Sequence, residues 1–482
     1  MLTLKLNTDG AEAEELRKRF LIASRMRNRL VSHAKKCLRS VRQDTDYRVL
    51  MKEYLSARDR RDKLKENGGS ARETAEAKRK LARVGKELAV IREAHGLSEY
   101  AFHSWISVQK RKYPGRTDIH SSQKLASSVW RGVEDVLFKK GKTLHFRACD
   151  RLMSVEGKSN SAGIRFRSGR VEWLGLSLAV KVRKNDAYAR EALTRRVKFC
   201  RLLRKPVGTE YHWYVQLVLE GRPPKKHAFL PDGRVGIDQG TSTEAVVSER
   251  GCLLTELCPE RPDISRKIRV LQRKMDRSAR AMNPGNFREN GTPKRHVRWT
   301  RSKTWRRDRM RLKALYRKAA DAARCSRERL ADTVLEKYGS DIVTEEMDYK
   351  ALQKRTKKTE ISGKTGRPKR KKRFGASIGR HAPAAFISVL ERKLSYIGKA
   401  VTFVNTKEYR ASCFRHDTGE YEKHSLSDRE KTIDGCPVQR DLYSAFLLMC
   451  AESADRPDTE LCRDLFPSFV TNQNTEILRL LN

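Results

Sequence analysis

The sequence predicts a multidomain α+β protein, and three observations carry that prediction. Its 482 residues suffice for about two to four separately cored domains. Apolar residues recur at helical spacing first, then alternate as in strands, and then mix both patterns. Short Gly- and Pro-containing breaks divide these stretches.

Residues 2–7, LTLKLN, alternate apolar and polar as a strand does. From about Glu12 the period turns helical, with Leu16, Phe20, Ala23, Leu30, Ala34, Cys37 and Val41 on one stripe. Arg17, Lys18, Arg25, Arg29, Lys35 and Lys36 lie largely off it, which suits either a solvated face or a basic binding face. Helical character continues to about Phe138, with Trp105 and Trp130 as packing anchors. Over residues 142–223 the segments TLHFRA, GIRFRS, RVEWLGLSLAVKV and EYHWYVQLVLE predict an antiparallel sheet or small barrel, completed by the N-terminal strand. GRPPKKH, residues 221–227, reads as a linker. Beyond it VGID, TEAVVSE and CLLTEL predict three consecutive strands. A basic helical region covers 264–338, broken at NPGNFRENGTPKRH. DIVTEE and AVTFVN predict strands, 383–398 a helix, and 440–451 a final helix. The run KRTKKTEISGKTGRPKRKKR, residues 354–373, is too polar to pack and suits a loop that touches phosphates. GASIGR, residues 375–380, with two glycines between basic residues, suits a plain turn or a close approach to a phosphate backbone.

Lys and Arg number 106 against 59 acids, a net charge of +47. An excess of this size points to a polyanionic partner, nucleic acid before an anionic membrane. No signal peptide or membrane span is predicted. Ten cysteines without a CxxC pair exclude a disulfide framework, so the chain reads as intracellular and reduced.

Three acids stand out by context. Asp238 ends the first strand of the meander, Glu345 ends DIVTE, and Asp441 opens the helix in VQRDLYSAFLL. Acids from a first strand, a later strand and a helix converge in RNase H-like nucleases. In-line phosphodiester hydrolysis uses divalent ions to activate water and to steady the leaving oxygen, and Mg²⁺ prefers hard carboxylate ligands. Each acid also has a plain alternative. IDQG suits a turn, Glu346 and Asp348 compete with Glu345, and Asp441 suits a helix cap.

The stretches VGIDQGTSTEAVVSERG, DIVTEEMDYKAL and VQRDLYSAFLL resemble the three RuvC motifs of the TnpB family of RNA-guided nucleases, relatives of compact type V CRISPR (Cas12-like) effectors. IRVLQRKMDRS, the segment down to KEYRAS, DIHSSQKLASSVW and FKKGKTLHFR extend the resemblance over nearly the whole chain. It implies a bilobed monomer with a β-barrel-like wedge domain at residues 1–8 and 139–227 and a helical recognition domain at 9–138. The RuvC nuclease domain, with a basic helical insertion, would span 228–410. Residues 411–438 would form a degenerate zinc-ribbon-like loop that loads the target strand, and 439–482 the final RuvC helix and a tail.

The resemblance further implies that Asp238, Glu345 and Asp441 are the catalytic, metal-binding acids, holding two Mg²⁺ or Mn²⁺ ions. It favours Glu345 over Glu346, because the family's Glu directly follows the strand. The implied partners are a guide RNA, from a transposon end or a CRISPR array, and double- and single-stranded target DNA in a prokaryotic cytoplasm. Where many members carry two CxxC pairs, this chain keeps only Cys413 and Cys436, with His416 or His424 as substitutes. A structural zinc wants four ligands, so the loop is expected to fold without one. Its Arg415 and Arg429 are candidates for DNA contact. Trp299 and Trp305, in VRWTRSKTWRRDRMR, suit packing, or stacking on bases or guanidinium planes. Two alternatives stay open: a nuclease-inactive RNA-guided repressor, and a guide-free RNase H-like resolvase or recombinase.

Overall fold

The computed structural model describes residues 1–66, 70–138, 141–148, 151–224, 230–354, 359–363, 366, 374–422, 428–453 and 456–481. It divides into two compact units, Met1–Pro224 and Lys225–Asn482. Most of the basic run 354–373, residues 225–227 of the linker, and His424 lie outside the described residues.

The first unit opens with β1 (Leu2–Asn7), whose Leu2, Leu4 and Leu6 point inward. Helix α1 (Gly10–Gln43) starts at a capping box in which Asp9 accepts from the Glu12 N–H and Glu12 from the Asp9 N–H. Every apolar stripe residue expected on α1 is buried. Four helices follow, α2 (Thr45–Glu66), α3 (Ala71–Ala94), α4 (Glu99–Lys110) and α5 (Ile119–Phe138). Trp105 stacks on His33, and Trp130 meets Phe102 edge-on, so both tryptophans pack as expected.

After them come β2 (Ser154–Glu156), β3 (Arg165–Arg167), β4 (Arg170–Trp173), β5 (Leu176–Lys181), α6 (Ala187–Leu193), β6 (Val197–Val207) and β7 (Glu210–Leu219). The antiparallel sheet runs β2-β6-β7-β1-β5-β4-β3, with the N-terminal strand in its middle. Among the described residues its two ends are not joined by a ladder, so this is an open sheet and not a closed barrel. Two local expectations need correction. TLHFRA is not a strand, and β6 was not foreseen. Arg204 and Pro206 occupy inward positions of β6 and disguise its alternation; the buried Arg204 gives its Nε–H to the Leu152 carbonyl at 2.7 Å.

The second unit begins with the expected meander, β8 (Arg234–Gln239), β9 (Thr243–Ser248) and β10 (Gly251–Glu256). Helices α7 (Ser265–Met282) and α8 (Lys303–Thr333) form the basic helical region, and a π turn at Val334–Tyr338 leads into β11 (Asp341–Glu345). Next are α9 (Tyr349–Leu352), α10 (Gly375–His381), α11 (Pro383–Ser395), β12 (Thr402–Val404) and α12 (Thr406–Tyr409). The hairpin β13 (Glu430–Ile433) and β14 (Cys436–Gln439) precedes α13 (Arg440–Met449) and α14 (Thr459–Leu481). GASIGR is therefore helix, not turn. The chain also carries a helix beyond the one expected to be last, with Pro467 inside it where a break would be read.

The sheet order is β10-β9-β8-β11-β12, antiparallel through the meander and parallel across β8, β11 and β12. Alternation along the strands sends side chains into two cores. Ala245, Val247, Val343 and Val404 pack with Leu442, Tyr443 and Phe446 of α13 and with Phe466 and Phe469 of α14. Val235, Ile237, Val246 and Ile342 pack on the opposite face with Val334 and with Phe386 and Leu390 of α11. Among the described residues no helix is long and apolar enough to cross a membrane.

Candidate active site

Asp238 shares a sheet face with Gly236, two residues back on β8. A Cβ at 236 would lie 1.9 Å from the Ala445 carbonyl oxygen and 2.5 Å from the Met449 nitrogen. Only glycine lets β8 press against the backbone of α13, and that contact brings Asp238 to the side of the sheet where α13 begins. Glu345 ends β11, the parallel neighbour of β8, in register one residue beyond the Thr344–Ile237 pair. Its face is that of Val343, which belongs to the α13-side core. Asp441 lies in the first turn of α13. The fold thus delivers all three acids to one side of the sheet, at the carboxyl ends of two parallel strands, a common position for sites in α/β sheets.

The electrostatics agree. Burial, then the charges of Asp441 and Glu345, push the Asp238 carboxyl up to about 8, with Arg440 partly opposing. The Asp238 carboxylate has no hydrogen-bond or ion-pair partner among the described residues. Glu345 is half-buried and raised by burial, while the Ala411 N–H donates to its Oε1 at 3.4 Å and works against that rise. Its competitors face water: Glu346 is exposed, and exposed Asp348 caps α9 through the N–H groups of Lys350 and Ala351. Asp441 is the paired member, meeting Arg440 at 2.9 Å and Arg429 at 3.2 Å.

Hard carboxylate oxygens of like charge, one of them unpartnered, match the donor chemistry of a divalent cation. As they stand, no three His, Cys, Asp or Glu side chains among the described residues are gathered closely enough to hold one ion together. Asp441, turned to its two arginines, is the acid whose side chain has another claim on it. Gly240 has a local role: a Cβ there would strike Thr243 Oγ1 at 2.7 Å, across the turn that Gly240 N closes on the Thr243 carbonyl.

The other candidates are placed more variously. Arg415 spends its guanidinium on Asp417 and Glu422. Arg429 is exposed and reaches Asp441. Cys413 and Cys436 are half-buried free thiols. Buried His416 hydrogen-bonds the Tyr443 hydroxyl through Nδ1 and packs against Phe466, which suits a core histidine better than a zinc ligand. Trp299 and Trp305 both stack on Arg301, at 4.6 and 4.3 Å from ring centroid to guanidinium carbon.

A polar group on the opposite face of the sheet was missed. Glu244 is fully buried with both carboxylate oxygens unpartnered, and burial holds it well above the usual carboxylate range. It pairs across the ladder with Gln239, which donates to Thr344 Oγ1 and accepts from the Tyr349 hydroxyl, both at 2.8 Å. The signal was present, since Glu244 falls in phase with inward-pointing Val246.

No protein-family model matches the chain, and no curated protein matches it in sequence. Among solved structures it is similar to a chain of the cryo-EM Cas12f1–sgRNA–target DNA complex, with 11% identity and a TM-score of 0.42 over 88% of this chain and 81% of that one. It is also similar to a chain of the cryo-EM CRISPR-Cas12f ternary complex, with 12% identity and a TM-score of 0.24 over 92% and 86%.

Proposed function

We propose that this chain is an RNA-guided, divalent-metal-dependent DNA endonuclease with a single RuvC-type site. The observation that supports it most is local: Asp238, unpartnered on β8, feels the charges of Glu345 on β11 and Asp441 on α13. Three acids so grouped, in a chain of net charge +47, suit phosphodiester chemistry better than a structural role.

Asp238 and Glu345 would hold the metal, joined by Asp441 when Arg429 and Arg440 yield it. Divalent ions bound there would lower the pKa of the attacking water and offset charge on the leaving oxygen. The chain's own part is positioning. Gly236 sets the distance between β8 and α13, the Ala411 N–H orients Glu345, and Gln439 fixes the start of α13 by accepting from the Leu442 N–H. Arg429, exposed beside Asp441, suits a substrate phosphate. The guide RNA would supply sequence choice by base pairing.

The test is to sequence the RNA that co-purifies with the protein, replace its targeting segment, and measure cleavage of a matching plasmid in Mg²⁺. Guide-dependent cutting that stops on chelation is expected. Cutting without RNA would favour the resolvase-like alternative, and guided binding without cutting the repressor.

A further inference from the structure

The α7–α8 connection carries a feature that the acids do not explain. From Arg280 to Arg309 cations and aromatic rings stack in series. Arg280 lies over Phe287 at 4.5 Å, Phe287 meets Trp299 edge-on, Arg301 lies against both Trp299 and Trp305, and Arg309 lies 5.3 Å from Trp305. The connection is tightly tied. Asn283 gives its side-chain N–H groups to the Ala279 and Thr300 carbonyls and accepts from the Thr300 N–H at 2.7 Å. Asn286 holds the Arg298 carbonyl at 2.8 Å, and Ser302 caps α8 through the Trp305 N–H.

Arg301 is the odd member of this series. Its guanidinium is held by two indoles, yet it has no hydrogen-bond or ion-pair partner among the described residues. Between residues 288 and 313 eleven Lys and Arg stand against two acids. One of those, Asp308, is buried and taken by Arg311 at 3.2 Å, and neither acid forms an ion pair with Arg301. Partial burial and the nearby Arg309 both work against its charge, a cost that a bound anion would relieve. Contact with ring faces uses none of a guanidinium's N–H donors, and its N–H fork matches two oxygens of a phosphate.

We infer that Arg301, clamped by Trp299 and Trp305, is a preformed site for a backbone phosphodiester of a nucleic-acid strand. The tryptophans act by fixing the guanidinium, so the site reads phosphate and not base. It rests on the nucleic-acid-binding half of the function proposed above and is independent of the acids.

The test uses the full-length protein, cleared of co-purified RNA, with fluorescein-labelled RNA and DNA single strands of one sequence, followed by anisotropy across a salt series. Arg301→Met, which keeps the aliphatic stem between the indoles, is expected to weaken binding about tenfold and to reduce the slope of log Kd against log salt by about one. Arg301→Lys keeps the charge and should keep the slope, while still losing affinity because it lacks the fork. A loss confined to one strand type assigns the phosphate to RNA or to DNA. The titration is run in EDTA, where no metal-dependent cutting occurs, so failure of the nuclease proposal would not be mistaken for failure of the clamp. If folded Arg301→Met binds both strands within twofold of wild type with an unchanged slope, the inference is wrong.

Discussion

Gly236 offers the sharpest test of how the candidate site is built, because it carries no chemistry of its own. In Gly236→Ala the new methyl would sit 1.9 Å from the Ala445 carbonyl oxygen, and neither that atom nor the Met449 nitrogen at 2.5 Å belongs to a side chain that can swing away. Restoring a tolerable contact requires β8 and α13 to separate by about 1 Å or more. Overpacking of this kind costs roughly 1–3 kcal/mol of stability. The second unit should therefore melt several degrees lower without unfolding at 25 °C. The functional effect should be larger. The displacement falls between the strand that carries Asp238 and the helix that carries Asp441, and a misplacement of about 1 Å can lower a rate roughly 100-fold. The assay is single-turnover cleavage at saturating Mg²⁺ with the protein in excess, paired with guided binding by gel shift. Slow cutting with near-normal binding is expected. Wild-type cutting by a folded Gly236→Ala protein would mean that backbone contact does not set the acid geometry.

Two further predictions concern the raised carboxyls of Glu244 and Asp238. Glu244→Leu removes a buried, unpartnered carboxyl group and should stabilise the protein by about 1–3 kcal/mol, visible as a higher Tm at pH 7; a lower Tm would mean that Glu244 has a partner. Burial and the nearby acids push the Asp238 carboxyl up from 3.8 to about 8, so the folded state binds the extra proton between those values. Stability of chelated protein should then fall as pH rises from about 4 to 8, by at most about 1.4 kcal/mol per pH unit, and level off above. Asp238→Asn should flatten that slope in denaturant titrations; an unchanged slope would remove Asp238 as its source.

The elements that position the site were legible because their patterns are local. The N-terminal strand, the α1 stripe, the meander and β11 are each short runs whose period survives in the sequence. What escaped reading involved residues whose type contradicts their position. Arg204 and Pro206 face inward on β6, Pro467 lies inside α14, and Glu244 occupies a core position of β9. Tertiary partners or helix packing override propensity at such places, and they are not visible in a single chain read by period. The three acids could be singled out from context, but their common face depends on parallel pairing of β8 with β11 and on the close approach at Gly236, both of which are long-range. The pairing of Asp441 with Arg429 and the sandwiching of Arg301 between tryptophans likewise required coordinates.

In the proposed function Asp238, Glu345 and Asp441 together cut DNA chosen by a guide RNA. The most direct measurement compares wild type with Asp238→Ala, each loaded with the same guide, for cleavage and for binding of a matching DNA in Mg²⁺. Cutting is expected to fall to background while guided binding stays within a few-fold of wild type. Cutting at the wild-type rate by Asp238→Ala would contradict it.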